Sequence, residues 1–228
     1  MNSRVKKIIG LILTVIFVIG ASIPAFAAED NNIVTLNASD YDKPDKLEND
    51  VYKYLSDTDI DGVIVLTEEC SEDIYTSLNR DTIPDIFPLT TSPVYYQVKN
   101  VVSKGDVTGT SDLAIAVGEP GITVSIEKTK SVSTTLSATF GATHSAISAA
   151  VGWDVTGSES VSIKGSAKVP SKHNDKIVKT MTLHAKPVYK VKEFDVYRYV
   201  PGYVNDKVGT GKTKKARGVS FTKTYVYK

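Results

Sequence analysis

The chain has 228 residues, of which 27 are lysine or arginine and 26 are aspartate or glutamate, and it has one cysteine, Cys70. A single cysteine excludes an internal disulfide framework, so packing must stabilise the fold. The balanced charge, without an aromatic and basic binding motif, argues against a nucleic-acid-binding protein.

The first 27 residues have the features of a secretory signal peptide. Three basic residues open the segment, residues 8–19 form an apolar core, and Ala-Phe-Ala at positions 25–27 supplies the small residues of a cleavage site. The alternative is a membrane anchor, but a spanning helix needs about 20 apolar residues. We therefore expect cleavage near Ala27 and a secreted, extracellular protein.

Acidic and basic residues are separated along the rest of the chain. Residues 28–120 hold 19 acidic and 6 basic side chains, a net of −13, and residues 121–228 hold 7 acidic and 18 basic, a net of +11. The two halves can neutralise each other, or the basic half can meet an anionic surface such as phospholipid or cell-wall polymer. The densest basic run lies in an expected glycine-containing loop and comprises Lys212, Lys214, Lys215 and Arg217.

Residues 28–90 are predicted to form a small acidic α/β region. Apolar residues recur three and four positions apart through residues 42–56, which predicts a helix, and residues 62–67 are typical of a buried strand. Residues 71–78 are predicted to form a short helix. A proline-containing connection then leads into the rest of the chain.

A calcium-loop pattern overlaps the start of the predicted strand. Residues 57–68 match D-x-D-x-D-G-x5-E, in which Asp57, Asp59, Asp61 and Glu68 would bind the cation. The flanks fit less well, because acidic residues follow the loop where the second helix of such a site is apolar. We favour the alternative, an acidic turn from helix to strand, and we expect no other cofactor.

Residues 91–228 are predicted to form a Ser/Thr-rich antiparallel β domain, with glycine and proline at the turns. The predicted strands cover residues 94–102, 112–117, 122–140, 147–169, 176–185, 188–199 and 218–227. Residues 209–213 resemble the end of a phosphate-binding loop but lack its first glycine, so we predict a β-turn there. The fold class is mainly β, an antiparallel β-sandwich or elongated β-sheet, with a small α/β N-terminal region.

Residues 131–153 contain no charged side chain. Along residues 132–140 and 147–155, apolar residues alternate with Ser, Thr, Gly or Ala, a period of two that is typical of strands with two unlike faces. Residues 141–146 are small and polar and suit a turn. We predict a β-hairpin, suited either to a soluble sheet or to entry into a bilayer, whose apolar face carries Val132, Leu136, Phe140, Ile147, Val151 and Trp153.

Catalytic signals are weak in this sequence. The three histidines have no zinc-ligand spacing, and no serine lies in a nucleophile-elbow Gly-x-Ser-x-Gly sequence. A glycosidase with paired carboxylates stays open, since such carboxylates meet only in the folded chain. We expect that the protein is not an enzyme.

The alternating strands of residues 122–169, with their charge-free hairpin, resemble the membrane-insertion region of aerolysin-type β-pore-forming toxins, in particular the epsilon-toxin and mosquitocidal branch. The resemblance implies a β-rich protein that binds a target surface, forms a homo-oligomer and inserts one hairpin per subunit into a shared pore. Residues 152–156, 188–197 and 208–211 also resemble small exported bacterial proteins of unassigned function.

Two hypotheses follow from the sequence. In the first, the protein is membrane-active, a pore-forming toxin or bacteriocin-like agent whose hairpin enters membrane lipid. In the second, it is a non-catalytic β-sandwich module that binds an anionic cell-wall polymer or other cell-envelope component through Lys212, Lys214, Lys215 and Arg217. The hydroxyl-rich, charge-free hairpin favours the first hypothesis.

Overall fold

Two long antiparallel strands lie at the centre of the fold. The structure is a computed structural model, which describes residues 32–67, 94–201, 203 and 205–228. The predicted signal peptide and the predicted helix at residues 71–78 lie outside these residues. Within them the protein is mainly β with a small helical part near the start, which confirms the predicted fold class.

The helices and strands follow one another in a simple order along the chain. They are β1 (Ile33–Asn37), a 3-10 turn (Ala38–Asp40), α1 (Pro44–Ser56), β2 (Gly62–Leu66), β3 (Tyr95–Thr108), β4 (Ala114–Gly118), β5 (Thr123–Ser133), β6 (Thr135–Leu136), α2 (His144–Val151), β7 (Ser158–Lys168), β8 (Lys172–His173), β9 (Lys176–Tyr199) and β10 (Asp206–Tyr227). The predicted helix at residues 42–56 and the predicted strand at residues 62–67 are therefore confirmed.

The described strands form two sheets. The larger has the order β1-β2-β10-β9-β3, with β4, β6 and β8 attached beside it, and the smaller is a two-stranded β5–β7 ribbon. β9 has 24 residues and β10 has 22, and they pair antiparallel along nearly their whole length. All the other strands of the larger sheet are attached to this pair directly or through β2.

β9 runs without interruption past Pro187, where two separate strands are predicted. A proline lacks the N–H that a central strand needs, so it fits only where the ladder is already broken. Here β3 ends at Thr108 and β4 begins at Ala114, both on the same side of β9. Gly109 N donates to Pro187 O at 2.7 Å and closes the gap. The proline therefore marks the junction between two neighbours of one strand.

The main core lies between the larger sheet and a layer made of α1 and the β5–β7 ribbon. Its fully buried side chains come from five elements, with Leu55 on α1, Val63 on β2, Ile163 on β7, Leu183 on β9 and Phe221 on β10. Burying each such side chain stabilises the fold by roughly 1.5–3 kcal/mol. This shared burial fixes both the helix and the ribbon on the sheet.

The predicted β-hairpin is wrong, because its first half is not a strand beyond Leu136, residues 144–146 of its predicted turn are helical, and its second half is not a strand. Residues 144–151 form α2, and residues 152–157 form no strand. The apolar positions fit both patterns, because Ile147 and Val151 share a parity on a strand and also lie one turn apart on a helix. The small Ser and Ala residues between them have better helix than strand propensity, which favours the helix.

The predicted β-turn at residues 209–213 and the predicted loop around Lys212 are also wrong, because both lie inside β10. The glycines there make room for aromatic rings rather than for a turn. A Cβ on Gly209 would lie 2.5 Å from Cδ1 of Phe140, and one on Gly211 would lie 2.5 Å from Cζ of Phe194. β10 accordingly begins at Asp206 rather than at residue 218.

Substitution of Gly165 tests how tightly the ribbon packs on the sheet. A Cβ at Gly165 would lie 2.5 Å from Cε1 of the buried Phe221 ring, so Gly165→Ala should lower the free energy of unfolding by about 1–3 kcal/mol. Ser160→Ala, on the exposed face of the same strand, should change it by less than about 0.5 kcal/mol. Urea denaturation measures both, and equal values would contradict this packing.

Candidate functional site

Residues 134–157 join the two strands of the ribbon and lie as a cap on the larger sheet. We call them the cap segment. β6 pairs with β10 at its start, a turn follows at residues 140–141, and α2 brings the chain back. The cap segment contains one Asp, Glu, Lys or Arg side chain, that of Asp154. It is therefore the nearly uncharged part of the predicted hairpin, folded here in another way.

α2 is a short helix with a defined start and end. Thr143 is its N-cap, and the Oγ1 atom accepts a hydrogen bond from Ala146 N at 3.2 Å. Gly152 ends the helix in the left-handed conformation, with φ of 82°, and its N–H donates to Ser148 O. Eight residues make only about two turns, which are marginal in isolation, so packing must hold the helix.

That packing comes from a second hydrophobic cluster, which we call the cap core. It is distinct from the main core and joins the cap segment to the C-terminal part of β9. Its buried members are Ala142, Ile147, Val151, Trp153, Val155, Phe194 and Val196. The two clusters have no buried side chain in common. The buried side chains that hold residues 142–155 on the sheet thus belong to the cap core rather than to the main core.

Polar contacts hold the end of α2 on the sheet. Lys192 on β9 donates from Nζ to Val151 O at 2.9 Å and lies over the Trp153 ring, 5.0 Å from its centroid. Trp153 in turn donates from Nε1 to Oγ1 of Thr213, a fully buried hydroxyl on β10, at 3.2 Å. We call Lys192, Trp153 and Thr213 the latch. Sequence reasoning missed Lys192 and Thr213, because only tertiary contact gives them a role.

The structure separates the six residues predicted for the apolar hairpin face. Val132 lies in the main core, Leu136 is half-buried beside the cap core, Phe140 is 37 % exposed, and Ile147, Val151 and Trp153 are buried in the cap core. Their apolar character is thus used against the protein itself in this conformation. Their insertion into a membrane stays a prediction.

The pairing of the ribbon can continue into the cap segment without a change of register. Ser133 lies opposite Ser158 at the end of the ladder. One further bond of the same register is already present, from Thr134 N to Gly157 O at 2.9 Å. Carried onward, this register would close a hairpin whose turn falls at residues 145–146.

In that continued register the side chains would separate by polarity. One face would carry Leu136, Ala138, Phe140, Ala142, Ile147, Ala149, Val151, Trp153 and Val155, together with Thr134, His144 and Gly157, and the opposite face would carry mostly Ser, Thr and Gly. The outer face of the existing ribbon is also rich in Ser and Thr and holds three charged side chains, those of Glu127, Lys164 and Lys168. The sequence of the cap segment is therefore compatible with an amphipathic hairpin.

The four basic residues predicted to bind an anionic surface do not form one surface. Lys212 and Lys214 project from one face of β10 and Lys215 from the other, because successive side chains of a strand alternate. Three of the four form ion pairs: Lys212 with Glu193 at 3.3 Å, Lys215 with Glu159 at 3.5 Å and Arg217 with Asp106 at 3.3 Å. Binding of an anionic polymer through this run stays a prediction.

The acidic calcium-loop pattern forms a turn from α1 to β2, as the favoured alternative predicts. Asp57 Oδ1 accepts from Asp59 N at 3.0 Å, and Asp61 Oδ2 accepts from Asn32 N at 3.0 Å, so these carboxylates are engaged locally. Within the described parts of the chain, no three acidic or histidine side chains are placed to hold a metal ion. Glu68 lies outside those parts.

A lysine supplies the positive charge at this turn. Lys223 on β10 donates to the carbonyl oxygens of Leu55, at 3.0 Å, and of Asp57, at the C-terminal end of α1. Burial lowers the pKa of Lys223 to about 8, because desolvation disfavours its charged form, and the nearby carboxylates of Asp57 and Asp61 oppose this only in part.

Comparison with known proteins assigns no family to this chain. No protein-family model matches the chain, and no curated protein matches it. Among solved structures, a chain named "Putative pore-forming toxin from Bacteroides vulgatus" is 10 % identical, with a TM-score of 0.26, and the match covers 59 % of this chain and 57 % of that one. This is a loose structural resemblance and carries no further argument. No helix of the described residues is long and apolar enough to cross a membrane.

Lys192→Met should loosen the cap segment while the main core stays folded. The variant loses a charged hydrogen bond and a cation–π contact, together worth about 1–2 kcal/mol. Trp153 is the only tryptophan in the sequence, so quenching of the tryptophan fluorescence by acrylamide reports the exposure of the Trp153 ring. In sub-denaturing urea, this quenching should be severalfold greater in the variant than in the parent protein. Lys214→Met, on the opposite side of the neighbouring strand, is the control. Equal quenching in the two variants would contradict the latch.

Lys223 makes stability depend on alkaline pH. The pKa of about 8 in the folded protein lies below the ordinary lysine pKa of 10.5, so the folded state releases the proton first and the free energy of unfolding should rise between pH 8 and 10. The rise should not exceed about 3 kcal/mol. Lys223→Met should abolish it, which urea denaturation at pH 7, 8, 9 and 10 measures. The same rise in the variant would assign the effect to other groups.

Proposed function

We propose that this is a secreted membrane-active protein whose cap segment leaves the sheet, continues the β5–β7 ribbon as a hairpin and inserts into a bilayer. The observation that carries the proposal is the shared register, in which Thr134 and Gly157 already extend the ladder beyond Ser133 and Ser158. Pairing between the two strands of the hairpin needs no new partner, because each strand supplies the other.

The length of the cap segment supports the proposal. With the turn at residues 145–146, the hairpin would have strands at residues 134–144 and 147–157, each of eleven residues (144 − 134 + 1 = 157 − 147 + 1 = 11). A transmembrane strand takes about 9–11 residues. Lys128 and Lys130 lie on the same side of β5 as the apolar face, just before Val132, and would mark the level of the headgroups.

The energetic balance also supports a switch that depends on the membrane. In water, detachment would expose the cap core, so the docked state is favoured by the burial of its apolar side chains. In lipid, the same side chains are again out of water, and hairpin pairing satisfies the backbone polar groups between the two strands. The outer edges of an isolated hairpin would still need partners, which a second copy of the chain supplies, so the proposal includes oligomers on the membrane.

A disulfide between the cap segment and the sheet tests the proposal. Thr135 on β6 lies directly opposite Lys214 on β10, and both side chains are exposed. Directly opposite positions of an antiparallel pair are within the Cα separation of a disulfide. In a Cys70→Ser background, the oxidised Thr135→Cys/Lys214→Cys protein should release dye from phospholipid vesicles at least tenfold more slowly than its reduced form.

The matched control places a disulfide where it leaves the cap segment free. Thr123 lies opposite Lys168 at the other end of the ribbon, and both are exposed. The oxidised Thr123→Cys/Lys168→Cys protein should release dye as fast as its reduced form. If locking the cap segment to the sheet leaves dye release unchanged, or if the reduced protein releases none, the proposal is wrong.

A further inference from the structure

The end of the larger sheet at which β9 leads into β10 carries a group of tyrosines. Tyr95 on β3 and Tyr199 on β9 stack with ring centroids 4.6 Å apart, and both are half-buried. Tyr203, in the connection between β9 and β10, is 78 % exposed, and Val94, next to Tyr95, is 50 % exposed. We call Val94, Tyr95, Tyr199 and Tyr203 the tyrosine end.

The exposed tip of the cap segment lies near this same end. The Phe140 ring packs on Gly209, and Gly141 lies against the Tyr96 ring. Gly209 is paired with Val196, three residues from Tyr199, which is about 10 Å along a strand. Tyr96 and Val196 face the cap segment, so the neighbouring Tyr95–Tyr199 pair lies on the opposite face of the sheet. The tip of the cap segment and the tyrosines are therefore near the same end of the sheet, on its two faces.

The start of the cap segment runs toward this same end of the larger sheet. β6 runs antiparallel to β10, with Leu136 opposite Thr213. A straight continuation of β6 would run along β10 toward its first residue, Asp206. The cap segment thus starts out in the direction of the end of the sheet that carries the tyrosines.

We propose that the tyrosine end docks on the interfacial region of a phospholipid bilayer before the cap segment inserts. This inference rests on the proposed function. A tyrosine has an apolar ring and a polar hydroxyl, a combination that is enriched where hydrocarbon meets headgroups. Bound there, the tyrosine end holds the tip of the cap segment against the lipid that it is to enter.

The charges around the tyrosine end fit headgroups of mixed sign. Arg198 pairs with Asp206 at 3.0 Å, and Lys207 pairs with Asp195 at 2.7 Å, so the cations are held beside the rings without a strong net field. Lys99 lies over the Tyr197 ring, 5.6 Å from its centroid. Attraction to the bilayer therefore comes mainly from ring burial, and docking should depend only weakly on salt.

Vesicle flotation with the cap segment locked separates docking from insertion. The probe is vesicles of phosphatidylcholine and phosphatidylglycerol, and the protein is the oxidised Thr135→Cys/Lys214→Cys form. Tyr199→Ser/Tyr203→Ser should weaken its binding at least tenfold, and Tyr203→Ser alone should weaken it severalfold. Tyr203→Ser alters only a largely exposed side chain, so this variant should fold as the parent protein does.

Tyr52→Ser is the matched control, because Tyr52 is an exposed tyrosine on α1, away from the tyrosine end. Its binding should equal that of the parent protein. Equal binding by Tyr203→Ser and Tyr52→Ser, or no binding by the locked parent protein, would overturn the inference. If binding depends on Tyr203 but the reduced protein releases no dye, docking stands and the proposed insertion fails.

Discussion

The antiparallel pairing of β9 with β10 is the constraint on which the rest of the structure depends. Over most of their length the two strands pair residue by residue, with shifts only at residues 207–209, 216–218 and 226–227. One end of the pair carries the main core, and the other carries the cap core. Glycines allow neighbouring strands to approach closely, because a Cβ on Gly218 would collide with the carbonyl oxygen of Val65 on β2. The pair therefore sets both the position of the ribbon and the surface on which the cap segment docks.

Much of the fold could be predicted where one local signal has one structural solution. α1 has helical spacing and an early proline, and β2 is a short apolar run with β-branched residues, so both were predictable to within one or two residues. The prediction of two strands around Pro187 was wrong, because a proline is tolerated inside a strand where the neighbouring strands break. That break lies between β3 and β4, which are far from Pro187 in the sequence, so the residues around Pro187 do not reveal it.

The candidate site was predictable in composition but not in conformation. The apolar and hydroxyl residues of the cap segment alternate as a strand would, yet Ile147 and Val151 also fit one face of a helix. Thr143 and Gly152 are ordinary helix boundaries that could have been recognised. The latch could not, since Lys192 and Thr213 lie about 40 and 60 residues beyond the atoms that they bind.

Because the protein has two separate hydrophobic clusters, one free energy of unfolding need not describe the stability of both. Proteins often open locally in contiguous units of differing free energy, and the cap core and the main core are candidates for two such units. A melting curve followed by bulk circular dichroism reports the unit with most of the strands, and α2 contributes little to that signal. Native-state amide hydrogen exchange would resolve two levels of protection, with the amides of α2 at the lower one. The stability of the whole fold and the stability of the docked cap segment would then be measured as two separate quantities.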